Sequence, residues 1–256
     1  MKTICTIILC LVLGFAKAQL PSDTLVHMIT FENLQGYKNG YGESTDQPLS
    51  SGAFTNIADR NAMQNRMAKL RNSFRWPDGT VIDFSRRGSK MGKTGMVDLY
   101  TLENPATKEV ITLVVDPYKS DSVYYVPKGL VAVNKEIVAK EIAPFLKKIE
   151  VINLSGDPYV EQKDNISAVT DYLAASVGVA GFLDRENLMK MMTDTQADAK
   201  LKNYLFGVYI INKFYALGKG IAQPKAYALK KMKESFVAFE KAHPDVEAGN
   251  IKINLN

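Results

Sequence analysis

Six of the seven arginines in this 256-residue chain, Arg60, Arg66, Arg71, Arg75, Arg86 and Arg87, stand between positions 60 and 87. With Lys69, Lys90 and Lys93 they make nine basic side chains against Asp78 and Asp83 over residues 60–93, a local charge of +7. A guanidinium is a planar fork that grips carboxylate, sulfate or phosphate through two parallel hydrogen bonds. The cluster therefore fits contact with an anionic polysaccharide, a lipid headgroup or an acidic protein. On a helix turning 100° per residue, Arg60, Arg71 and Arg75 fall within about 60° of one another. Arg86, Arg87, Lys90 and Lys93 follow on a charged turn. The competing explanation is a solvated helix flank and a hairpin tip whose charge discourages edge pairing. The two differ in one respect: a binding surface requires the arginines to converge on one exposed face.

Carboxylates offer a second chemistry. Asp83 and Asp98 become cross-strand neighbours if residues 81–84 pair with 96–100, and two facing carboxylates can hydrolyse a glycoside without histidine. Other chemistries are poorly served. His27 and His243 are the only histidines and lie near opposite ends of the chain, with no i, i+4 partner, so no metal site is expected. No Gly-x-Ser-x-Gly elbow is present. Residues 88–94 (Gly-Ser-Lys-Met-Gly-Lys-Thr) resemble a phosphate loop, but three residues rather than four separate the glycines, and a strand rather than a helix follows. No cofactor is implied.

These side chains need elements to carry them. Residues 25–31 read as a strand, and Asn39-Gly40 as a tight turn within a Gly, Ser, Asn and Tyr loop. A helix follows, capped by Thr55 or Asn56, with Met63, Met67, Leu70 and Phe74 on one face. Residues 80–84, 96–102, 109–116 and 122–126 read as strands of an antiparallel meander, because short connections favour neighbouring antiparallel partners. Beyond residue 130 the pattern turns helical. Asn134 caps a helix that Pro144 should kink or divide. Small residues from Ala174 to Ala180 invite close backbone approach, and Asp184 can cap a Met-rich helix. Thr195-x-x-Asp198 resembles a capping box, and Pro224 opens a last helix. Residues 251–255 suggest a closing strand. The expected fold is α+β: an antiparallel sheet of about four to six strands with one inserted helix in the N-terminal half, and a helical C-terminal half. The expected division is 19–130 and 131–256, packed as one unit.

Residues 1–18 have a basic start, a 12-residue apolar run and Ala16-Lys17-Ala18, the pattern of a secretory signal peptide cleaved after Ala18. Removal takes both cysteines, leaving 30 basic and 27 acidic side chains, so thiol catalysis and disulfides drop out. Residues 204–217 are apolar but too short to span a bilayer. The expectation is an exported protein, periplasmic or extracellular, that binds rather than catalyses, with the arginine region as its contact surface. The alternatives are a secreted carboxylate hydrolase and an envelope assembly factor with an apolar patch in the helical half. Nucleic acid is disfavoured as a partner, since export separates the two and no stacking-aromatic motif is present.

Overall fold

In the computed structural model, which describes residues 20–176, 192, 198–246, 248, 249 and 251, the first described element is a helix where a strand was expected. Residues 25–31 belong to α1 (Asp23–Ile29) and the turn after it. The Ser22 hydroxyl accepts a hydrogen bond from the Leu25 amide at 3.2 Å, and Asp23 adds negative charge to the first turn. This N-terminal chemistry outweighs the strand-like run of side chains that follows it.

The sheet is mixed rather than antiparallel throughout. Its four strands run in the order β2-β6-β5-β4, where β2 is Leu49–Ser50, β4 Arg87–Met91, β5 Met96–Glu103 and β6 Val110–Asp116. The β4–β5 and β5–β6 pairs are antiparallel, and β2 lies parallel to β6. Two short pairs stand apart: β1 (Leu34–Tyr37) parallel to β7 (Tyr124–Val126), and β3 (Phe74–Arg75) antiparallel to β8 (Val131–Ala132). Residues 80–84 join no ladder, because the Trp76–Thr80 turn, closed at Gly79 (φ +85°), sends Ile82 into the core instead. The partner of β5 is the Gly88-Ser89-Lys90 run itself, which forms an exposed edge strand.

Helix α2 (Arg60–Asn72) is capped by Asp59, whose carboxylate accepts from the Asn61 and Ala62 amides at 3.0 Å, several residues after the expected cap. In the C-terminal half come α3 (Lys135–Leu154), α4 (Pro158–Glu161), α5 (Lys163–Ser176), α6 (Ala199–Gly218) and α7 (Pro224–Ala242). Asn134 caps α3 at 2.9 Å, as its position implied. Pro144 does not divide α3: it lies on the exposed side, opposite the buried stripe of Val138, Ile142, Leu146, Ile149 and Ile152. Asp198 caps α6 through the Lys200 amide at 2.6 Å. The Met-rich helix expected after Asp184, the Thr195 end of the capping box and residues 252–255 lie outside the described residues.

Two apolar cores divide near residue 130. Phe31, Leu70, Phe74, Trp76, Tyr100 and Leu130 belong to one, around the sheet. The other gathers α3, α5, α6 and α7 around a nearly all-buried α6, and it also takes Leu25 from α1. At Gly218 an added Cβ would stand 2.9 Å from the terminal methyls of both Ile142 and Leu146, so a larger residue here would push those side chains aside. No helix among the described residues is long and apolar enough to cross a membrane.

Candidate functional site

The arginines do not converge on one face. Arg75 is 3% exposed, and its Nε and Nη2 donate to both oxygens of Glu141 on α3 at 2.7 and 2.8 Å. Its Nη1 donates to the Phe74 carbonyl at 2.7 Å, so this guanidinium is filled from all sides. Arg66 spans three segments, donating to the Ser51 carbonyl (2.8 Å), the Glu32 carboxylate (2.8 Å) and the Tyr124 hydroxyl. Its guanidinium also lies over the Phe31 ring, 5.1 Å from the centroid. Lys69 donates to the other oxygen of Glu32. Partial burial works against charge on Glu32, but hydrogen bonds from Lys69 and Arg66 outweigh it and hold the carboxyl down to about 2.

Further along, Arg87 pairs with Asp98 and Arg86 with Glu103, each at 2.8 Å. Arg60, Arg71, Lys90 and Lys93 have no carboxylate partner among the described residues. They sit on α2, on the edge strand and in its turn. The cluster in sequence is thus spread over three elements. Four of its six arginines bridge those elements to acids elsewhere, which is a use that charge counting in the sequence does not distinguish from ligand binding.

The two candidate carboxylates also separate. The cross-strand partner of Asp98 is Ser89, not Asp83, and Asp98 is buried beneath the Arg87 guanidinium. Asp83 is exposed and closes a local turn, accepting from the Ser85 amide and hydroxyl at 2.8 Å, bonds that lower its pKa. His27 lies on α1 rather than on a strand. His243 follows the last turn of α7 as its C-cap, with Nε2 2.8 Å from an Asp157 oxygen. Among the described residues no three metal-capable side chains cluster.

Two concavities among the described residues stand out. The larger, about 1050 Å3, lies between α5 and α6. On α5 it is faced by Lys163, Ile166, Thr170, Asp171 and Ala174, at i, i+3, i+7, i+8 and i+11, one side of a 3.6-residue helix. On α6 it is faced by Lys200, Asn203, Tyr204, Gly207 and Ile210, with the same periodicity. Gly207 marks the closest approach, since an added Cβ would be 3.0 Å from Ile166. The floor is apolar and buried at Ile166, Leu173, Gly207 and Ile210. The rim is charged. Lys163 and Lys200 have no carboxylate partner among the described residues, and Asp171 has no cation partner among them. Burial raises the pKa of Tyr204, which therefore stays a neutral phenol in the wall. In the sequence this groove is signalled by Ala174, a small residue inviting close approach, and by the apolar run over 204–217.

The smaller concavity, about 270 Å3, is enclosed by α2 and the loops that flank β2 and β7. It is lined by Glu32, Arg66, Asp121, Tyr124 and several hydroxyl and amide side chains, beside Ala53 and Ala62. Compared with known proteins, the chain matches no family, no curated protein and no solved structure.

Proposed function

We propose that this chain is a non-catalytic binding protein acting outside the cytoplasm, and that the α5–α6 groove holds an amphipathic ligand with one apolar chain and an anionic head. The carrying observation is the groove itself: a volume at the upper end of the roughly 300–1,000 Å3 usual for small-molecule sites, with an apolar floor and two lysines on the rim free of carboxylates. Its rim charge, Lys163 and Lys200 against Asp171, favours a negative head. An alkyl chain gains about 0.8 kcal/mol per buried methylene. Ten methylenes then supply about 8 kcal/mol before association costs, which corresponds to micromolar binding or weaker. The leader pattern of residues 1–18 supports the location. The surface cations Arg60, Arg71, Lys90 and Lys93 support attraction to an anionic envelope surface at long range. Hydrolysis is less well supported, because its two candidate carboxylates lie apart: Asp98 opposes Ser89 and pairs with Arg87, while Asp83 closes a local turn.

Thermal denaturation of residues 19–256 with dodecanoate, dodecanol and acetate tests this. Dodecanoate should raise the midpoint, by roughly 2.7 kcal/mol of stabilisation at 100 times its Kd; dodecanol should act more weakly and acetate not at all. Ala174→Trp should abolish the effect by filling the groove, and Lys163→Glu or Lys200→Glu should weaken it. A midpoint unmoved by dodecanoate, or moved equally in Ala174→Trp, would overturn the proposal.

A further inference from the structure

The small recess in the sheet-rich half has a built wall. Tyr124 is 1% exposed, its ring stacked on Phe31 at 4.1 Å, and its oxygen accepts from Arg66. A phenol carries one proton, and that of Tyr124 has no acceptor among the described residues. On the other side stands Asp121. One of its oxygens, Oδ2, accepts both from the Tyr41 hydroxyl at 2.7 Å and from the Ser50 amide at 3.1 Å. Its second oxygen, Oδ1, is left without a recorded donor. The recess thus pairs an unused buried donor with an unused acceptor, flanked by Ser120, Ser122 and Asn56, which can each donate and accept.

The charges decide the ligand class. Glu32 and Asp121 are balanced by Arg66 and by Lys69 behind it, and Glu32 already spends both oxygens on those cations. An anion would meet two carboxylates, and a cation would meet a guanidinium. A neutral molecule with several hydroxyls meets no such penalty, because each hydroxyl matches a mixed donor and acceptor wall. The rim is also pre-shaped. Ser51 bridges to Ser120, the Phe54 amide donates to the Pro117 carbonyl at 2.7 Å, and at Gly52 (φ +71°) an added Cβ would lie 2.0 Å from the Ser120 Oγ. Two loops are therefore stitched together before any ligand arrives, which lowers the ordering cost of binding.

We infer that this recess is a site for a single neutral sugar ring, with Tyr124 donating to one ring hydroxyl and Asp121 Oδ1 accepting from a neighbouring one. It is independent of the α5–α6 groove and needs no ligand there.

The test is NMR titration of residues 19–256 with D-glucose, D-galactose, D-mannose and N-acetyl-D-glucosamine to about 50 mM, the range where weak sites saturate, with glucuronate and glucosamine as charged counterparts. At least one neutral sugar should shift resonances of Asn56, Ser120 and Ser122, with little dependence on salt, and the charged counterparts should bind about tenfold more weakly. Tyr124→Phe should weaken that sugar about tenfold. Asn56→Trp, on the exposed lip and outside the Arg66 network, should block it without loss of folding. Ala174→Trp should leave it unchanged, which separates this site from the groove. No shift with any neutral sugar, tighter binding of either charged counterpart, or unchanged binding in Asn56→Trp would overturn the inference.

Discussion

Glu32 holds two cations at once, and its acidity follows. Its pKa in the folded chain lies near 2, below the ordinary value of 4.5. A depressed carboxylate contributes stability that is present above the unfolded pKa and is lost as pH falls through the folded one. The contribution should therefore disappear between about pH 4.5 and about pH 2. The Glu32 side chain is 54% exposed, so solvent screening limits it to about 1 kcal/mol. Glu32→Gln should be less stable than wild type by that amount near neutral pH and equal to it near pH 2, read from urea denaturation midpoints across the range. A constant gap across the range would assign the loss to packing rather than to charge. The sequence does not disclose this role. Glu32 is 34 positions from Arg66, and Glu141 is 66 from Arg75, so the partner that consumes each guanidinium is invisible until the chain folds.

At the scale of elements, Pro144 is the clearest local conflict. It sits inside α3 without a backbone N–H to offer, and the helix continues past it on the exposed side. An interior proline is about 3 kcal/mol less favourable than alanine, offset in part by the stiffer unfolded chain. Pro144→Ala should stabilise the protein by about 2 kcal/mol, checked by the shift in denaturation midpoint at unchanged slope. A loss of stability would mean that the backbone of α3 is shaped around the proline.

The same elements show what periodicity and caps reveal. Asn134 and Pro224 mark the starts of α3 and α7 as expected, while Asp198, expected inside the first turn of a box opened by Thr195, is itself the cap of α6. β5 and β6 were also legible from their β-branched residues and the hairpin between them. The missed strand pairings, unlike the local misses at α1 and residues 80–84, originate in contacts at long range. β1 and β7 pair in parallel from residues about ninety positions apart, and β2 joins β6 in the same way, so no local pattern announces either. The groove between α5 and α6 shares this origin. The sequence showed small residues near Ala174 and an apolar run over 204–217, but only the juxtaposition of the two helices makes a site.

For the molecule as a whole, Arg75 and Glu141 tie the two cores. One belongs to β3 beside the sheet and the other to α3, and the arginine is almost wholly buried. Removing one partner from such a pair commonly costs about 3–5 kcal/mol, because the other stays behind without its counter-charge. Glu141 retains some exposure, so Arg75→Ala should cost about 3 kcal/mol in chemical denaturation. Arg75→Met combined with Glu141→Leu should recover much of it. A cost below about 0.5 kcal/mol would show that the halves are held by other contacts.

α1 makes a different link. It stands first among the described elements, yet Leu25 is buried in the helical core and the Ser22 amide donates to the carbonyl of Leu217 at 2.9 Å. Part of the binding place of α1 is therefore synthesised long after α1 itself. Until about residue 217 has been synthesised, α1 can meet α2 and α3 but not α6, so one side of its packing stays open. The packing of α1 is therefore finished only when α6 arrives, and its bond to Leu217 is a late event however early the helix itself forms.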